Sequence, residues 1–240
     1  MTAIDRPTMI DEVFAGAAAE ATGPIPPSAP LFDPAADPAL SYDRSAARKA
    51  LLAAGWVHKD DGWHRTSSSK ALEIEVLSPD EKSSPVVWAA ASQVATNWRQ
   101  MGFTVTHVGL PAGTFVTDRL AKGDFQVAVA DVTIGLDPDL YPLLASSQTV
   151  TGGSNVMGVQ DAALDKLLVA ARAPGTMEAR KTAYSKLQKQ LATGRYLLPL
   201  AFPDEVVVVR DTVEGPVIRQ VADASDRFWD VLTWRLAEDR

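Results

Sequence analysis

Between residues 72 and 132 the chain reads as strand, helix, strand, helix, strand, and this order limits the possible folds more than any other feature. In "LEIEVLS", Leu72, Ile74 and Val76 alternate with Glu73 and Glu75, the period of a strand with one wet face. Residues 85–101 place Val87, Ala91, Val94, Trp98 and Met101 at helical spacing, and Gly102 supplies the stop. "FTVTHVGL" reads as a strand, "TFVTDRLAKGD" as a helix, and "FQVAVADV" as a strand whose lack of alternation predicts a central position covered on both faces. The order predicts an α/β fold with a mostly parallel sheet, flanking helices and right-handed crossovers.

On the N-terminal side, "TMIDEVFAGAAAEATG" predicts a short helix ending near Gly23. "PIPPSAPLFDPAADPALS" then carries six prolines in eighteen residues. Each proline removes a donor and pushes its predecessor toward extended backbone, so the segment is an ordered or semi-rigid connector between two bodies. "SYDRSAARKALLAAGW" is a helix capped by Asp43 and stopped at Gly55, with Ala47, Leu51 and Ala54 on one face. A hairpin turning at Asp61-Gly62 precedes the first strand of the sheet. After the sheet, "DAALDKLLVAARA" is a helix with Asp161 as cap, and "TMEARKTAYSKLQKQLATG" is a second, closing at Gly194. "YLLPLAFPDEVVVVR" predicts a last strand, followed by a short strand-like piece and an aromatic tail.

The net charge of −7 and the scattered cations exclude the phosphate-neutralising surface that nucleic acid needs. Zero cysteines remove disulfides, thiolate metal sites and thiol nucleophiles. The N-terminus carries acids where a signal peptide has its basic flank, so no signal peptide is expected in this chain. No run of about 20 apolar residues is present. His58, His64 and His107 lack a metal-binding spacing and read as structural. No serine elbow occurs, and "TGGSN" at 151–155 lacks the lysine of a phosphate loop, so no cofactor is expected.

The stretch "FQVAVADVTIGLDPDLYPLL" ends in Asp131, Asp137 and Asp139. Carboxylates suit a hydrolase pair or a hard metal ion, while Asp-Pro-Asp is also ordinary turn chemistry. Position favours a binding loop: open α/β sheets place ligands at the C-terminal ends of their strands.

Several segments, in order, carry a resemblance. They are "AIDRPTMIDEVFAGAAAEATGPIPP", "YDRSAARKALLAAGW", "VATNWRQMGFTVT", "GDFQVAVADVTIGLDPDLYPLL", "SNVMGVQDAALDKLLVAA" and "RKTAYSKLQKQLATGRYLLPLAF". Together they resemble the C-terminal half of a bacterial extracellular solute-binding protein of family 5, the peptide, oligosaccharide and nickel class that feeds ABC importers. The resemblance implies a periplasmic-binding-protein-like lobe of the class II type. It places a first-lobe remnant and connector at 1–35, the ligand-binding lobe at 36–211 and a return segment at 212–240. Members run to roughly 500 residues, beyond single-domain size, so the chain is expected to be an excised piece or a half-gene.

The resemblance further implies a non-enzymatic, extracytoplasmic and monomeric receptor, lipid-anchored in its full-length form. Its expected partners are a peptide or other small-molecule ligand and a membrane ABC permease. The expected cleft residues are Asp131, Val132, Thr133, Ile134, Gly135, Asp137 and Tyr141, with Asn155 and Met157 from the following loop; no metal site is expected. In peptide-binding members a tryptophan and then an aspartate precede the DP pair, and the aspartate holds the peptide's ammonium. Ile134 stands at the aspartate's place here. That difference leaves room for a member acting as regulator or scaffold in envelope biogenesis through protein contacts.

Overall fold

The computed structural model describes residues 1–36, 40–135, 137–150, 152–206, 208–217, 219, 221 and 224–237. Parts of the connector, Leu136 of the acid loop, Thr151 of "TGGSN" and several residues of the C-terminal strand and tail lie outside the described residues.

The N-terminal helix, α1 (Arg6–Val13), is capped by the Asp5 side chain on Thr8 N. It ends earlier than its sequence predicts, because Ala15 and Gly16 turn left-handed at φ 52° and 79°. Residues Ala18–Glu20 form strand β1 instead, paired antiparallel with Ala201–Pro203. The buried Arg6 holds this corner: it donates to the carbonyls of Ala21 and Leu40 and pairs with Glu20 at 2.6 Å. The proline-rich segment is ordered and packed, with Ile25, Ala29 and Leu31 buried in the helical core. Gln188 pins it by accepting from Asp33 N at 3.0 Å and donating to Leu31 O at 3.0 Å.

Helix α2 (Arg44–Ala53) is capped by Asp43, as predicted. The hairpin follows as β2 (Trp56–Lys59) and β3 (Gly62–Arg65), with Lys59 opposite Gly62. Its two-residue turn is therefore Asp60-Asp61, one position earlier than expected, with Gly62 at φ 126°. Trp63 is fully buried and donates through Nε1 to Met101 O at 2.7 Å, which fastens the hairpin to the end of the next helix.

Strand β4 (Glu73–Pro79), helix α3 (Pro85–Gln100) and strand β5 (Thr104–Leu110) form the first parallel unit. Helix α3 stops at Gly102, where φ is 91° and an added Cβ would sit 2.2 Å from His58 Nε2, so a side chain there is strained in its backbone and displaces the His58 ring. The next helical segment begins as α4 (Ala112–Thr114) and continues through a π-wound turn, Phe115–Leu120. Strand β6 is only Val127–Ala128, parallel to Val76–Leu77.

The sheet order β5-β4-β6 corrects one expectation: β4, not the apolar third strand, is central. The alternating acids of β4 misled because they sit at its solvent end, where Glu75 pairs with Arg119 at 2.5 Å. Farther along, Val76, Leu77 and Ser78 are all buried. Beside Glu75, the Gln126 side chain accepts the strand's N–H at 2.6 Å and stands in for a backbone partner.

Helix α5 (Tyr141–Leu144) precedes α6 (Ala162–Arg172), capped by Asp161, and α7 (Met177–Gly194), closed by Arg195 at φ 50°. Among the described residues the predicted last strand shrinks to β7 (Ala201–Pro203). The tail adds β8 (Val213–Glu214) paired with β9 (Arg235–Leu236). The buried apolar residues form separate groups. Val76, Ala91, Ala95 and Val105 join sheet to α3, and Ile4, Met9, Ala90 and Val94 join α1 to α3. A third group joins α5, α6, α7 and the connector.

Leu77 has no exposed surface and lies on the central strand. Leu77→Ala is expected to lower the unfolding free energy by about 2–5 kcal/mol through lost burial and a residual cavity. Val169→Ala, at a site 58% exposed on α6, is expected to stay within about 0.5 kcal/mol. Denaturant unfolding monitored by circular dichroism checks both.

Candidate functional site

The loop from 129 to 140 begins at the C-terminal end of β6 and crosses between two cores. At its start, Val129 donates to Leu77 O at 2.8 Å and packs against the sheet cluster. Farther on, Ile134 and Leu140 pack into the helical cluster. Between these anchors Asp131, Val132, Thr133 and Gly135 are exposed. Anchoring at both ends makes this segment a surface wall rather than a free loop.

The three aspartates have different fates. Asp137 is paired with Arg180 at 2.5 Å and lies 3.5 Å from the Tyr184 hydroxyl, which donates to Pro138 O at 3.1 Å. Asp139 caps Tyr141 N at 3.0 Å through one oxygen and pairs with Arg172 Nε at 3.0 Å through the other. The Arg172 guanidinium also lies 4.5 Å from the Tyr141 ring centroid, so Asp139, Arg172 and Tyr141 form one stack. Asp131 has no ion pair among the described residues, and desolvation by its neighbours pushes its carboxyl above the usual range. Two of the acids therefore act as the turn that shapes the loop, and the third stands apart.

Burial holds the Tyr184 hydroxyl in its neutral form and, with the nearby Asp137 charge, raises its pKa from 10.0 to about 12. On the same loop system, Tyr141 is half-buried and its hydroxyl meets Ser147 Oγ at 2.9 Å. Met157 is half-buried against the helical core.

Asn155 faces inward, which corrects its expected place in the cleft. Only 3% of it is exposed; its amide donates to Ala145 O at 3.0 Å and Val159 O at 2.9 Å, while its Oδ1 accepts from Val159 N at 3.0 Å. With its hydrogen-bonding capacity used inside the lobe, it ties the 145 and 159 segments together. Ile134 is spent on packing as well.

Sequence reading missed Arg172 and Arg180. They stand on α6 and α7, far along the chain from the acids they meet, and no local pattern couples residues 43 positions apart. It also missed Asp61 as the partner of the buried His64, at 2.7 Å across the hairpin. His107 meets Ser78 Oγ at 2.9 Å, and burial with the Arg99 charge lowers its pKa, which keeps it neutral. Among the described residues no group of three or more His, Asp or Glu is placed to hold a metal ion. Two hollows, one between Thr22 and Pro199 and one between Pro30 and Lys181, are lined by no residue of the 129–140 loop.

A parallel sheet flanked by helices, with an anchored loop exposed at a strand's C-terminal end, defines a periplasmic-binding-protein-like lobe. The model of the family described as bacterial extracellular solute-binding proteins, family 5 middle, matches residues 1–155, and the chain belongs to that family. Protein XP55 of Streptomyces lividans is 28% identical over 216 residues, covering 89% of this chain and 38% of that protein. A probable di/tripeptide-binding protein 5 of Pseudomonas aeruginosa is 29% identical over 217 residues, with the same coverage of 89% and 38%. The chain thus spans about two fifths of the curated relatives it matches. Among solved structures, the oligopeptide-binding protein AppA of Bacillus subtilis, in complex with a nonapeptide, superposes with a TM-score of 0.77 at 20% identity, over 99% of this chain and 46% of that one. NikZ of Campylobacter jejuni, in complex with Ni(L-His), also gives 0.77, at 21% identity over 97% and 46%. These likenesses show the fold.

Two outcomes are expected. Asn155→Ala removes the buried amide that joins the 145 and 159 segments, leaves the half-buried Val159 N–H without its partner, and costs about 1–3 kcal/mol in denaturant unfolding. A tyrosine pKa raised by folding means that stability is fully present below pH 10.0 and is lost as pH climbs toward about 12. Thermal unfolding across that window should show a fall that Tyr184→Phe reduces.

Proposed function

We propose that this chain is the ligand-binding lobe of an extracytoplasmic solute-binding protein that delivers a peptide-like or other small solute to an ABC importer. The single observation that carries the reading is the 129–140 loop, exposed at residues 131–133 and 135 and held at both ends. Its exposed backbone offers donors and acceptors to an extended ligand, as in strand-like peptide recognition. Asp131, Val132, Thr133, Gly135 and Tyr141 form the wall, and Met157 lends adaptable apolar contact. Asp137 shapes the wall through Arg180 rather than meeting the ligand.

In this reading the ligand lies between two lobes, and closure is favoured by contacts with both. The lobe acts by binding and carries out no chemistry. The full-length protein works as a lipid-anchored monomer outside the cytoplasm and meets a membrane permease in its closed state. The relatives' names, a di/tripeptide-binding protein and an oligopeptide-binding protein, support a peptide-like solute. One observation favours a second reading, a regulator or scaffold in envelope biogenesis: Ile134, where peptide-binding members hold an aspartate, is packed into the helical core.

Because half a cleft makes a fraction of the contacts, a solute held at about 1 µM, near −8 kcal/mol, by the full-length protein is expected to bind the lone lobe at millimolar strength or weaker. Isothermal calorimetry with a solute co-purified with the full-length protein checks this. Micromolar binding by this chain alone refutes the two-lobe reading, and a full-length protein that carries and binds no solute points to the scaffold.

A further inference from the structure

Two arginines hold the acid loop, and they spend different edges on it. Arg180, on α7, meets Asp137 through a terminal nitrogen, Nη2, at 2.5 Å and is 22% exposed. Arg172, the last residue of α6, meets Asp139 Oδ2 through Nε at 3.0 Å and is 47% exposed. Among the described residues, neither Nη1 nor Nη2 of Arg172 has a hydrogen-bond partner.

That guanidinium is held from two sides. Asp139 fixes its Nε, and its central carbon lies 4.5 Å from the Tyr141 ring centroid. The ring is itself immobilised, because Asp139 Oδ1 accepts from Tyr141 N at 3.0 Å and the hydroxyl meets Ser147 Oγ at 2.9 Å. A planar group stacked and paired in this way has given up much of its rotamer freedom before any solute arrives, so binding orders little more. What Arg172 leaves to solvent is a flat fork of N–H donors beside Tyr141, a residue of the wall.

We propose that Arg172 determines the specificity of the wall by receiving a carboxylate of the solute on its Nη1–Nη2 edge, so that the solute class is one with a free carboxylate. This role rests on the reading of the 129–140 loop as a ligand wall. Two parallel N–H donors match the two oxygens of a carboxylate, whereas a hydroxyl or an amide carbonyl offers one acceptor atom. A solute ammonium finds no acceptor on this edge and meets like charge. Asp139 offsets the guanidinium charge at a distance, so the gain comes on contact, through charge-assisted hydrogen bonds, and favours a group that fits the fork over anions in general. Arg180 is not placed to do the same, because its Nη2 is taken by Asp137 and it is less than half as exposed.

Isothermal calorimetry on the full-length protein tests this with trialanine and its C-terminal amide, which differ at the carboxylate alone. Trialanine is expected to bind about 10- to 100-fold more tightly than the amide. Arg172→Gln is expected to bring that ratio close to one, and Arg172→Lys, which keeps the charge without the fork, to lower it in part. A loosened loop weakens both probes alike, so the ratio isolates the carboxylate, and Arg180→Gln, which frees the same loop from α7, leaves the ratio in place. Circular dichroism confirms that each variant is folded, and Arg172→Lys carries the test if Arg172→Gln is not. The amide of alanyl-glutamyl-alanine distinguishes the source: tighter binding than trialanine amide, removed by Arg172→Gln, supports the proposal and assigns the fork to a side-chain carboxylate. Equal binding of all three probes, or a preference that survives unchanged in the Arg172 variants, overturns the proposal and leaves the ligand wall standing. Binding of none of them overturns it together with the peptide-like solute.

Discussion

Strand β4 is hydrogen bonded along both edges, to β5 over all seven of its residues and to β6 over two. That double pairing sets the direction of the sheet and brings the C-terminal ends of three strands to one edge. It also decides where the acid loop starts, because Val129 makes one more bond to Leu77 before the chain leaves the sheet. The loop's far end is set by a different core, in which Leu140 and Leu144 are buried with Leu164, Leu168 and Tyr184. The wall thus takes its position from two packed bodies, each contributing one end.

Electrostatics completes the wall. Arg172 and Arg180 neutralise Asp139 and Asp137, so the bend of the loop carries little net charge, and of the loop's three aspartates Asp131 is the one with no ion pair among the described residues. The surface pairs contribute little stability individually, as exposed ion pairs generally do. Their value is geometric: each ties the loop to a helix whose own position is set by apolar burial.

The helices were largely legible in the chain, because their signals are local. Asp43, Asp161 and the glycines after α2 and α3 act within one turn of the residues they cap, and apolar periodicity needs no partner to be seen. The strands were legible as segments and not as an order. Alternating Glu73 and Glu75 implied a half-wet strand, yet Arg119 and Gln126 absorb that end and the rest of β4 is covered. The apolar run 125–132 looked central and proved to be a two-residue edge, because apolar composition does not say which neighbour a strand will find.

The sequence by itself determined the alternation of strands and helices, the caps, the exclusion of thiol chemistry, and the place of an acid-rich turn after the third strand. Only the tertiary structure decided which acids stay free, that Asn155 faces inward, and that Ile134 is spent on packing. The reason is range. Caps and periodicity act across one helical turn or one pleat, whereas a carboxylate's partner and a side chain's burial depend on segments brought together from across the chain.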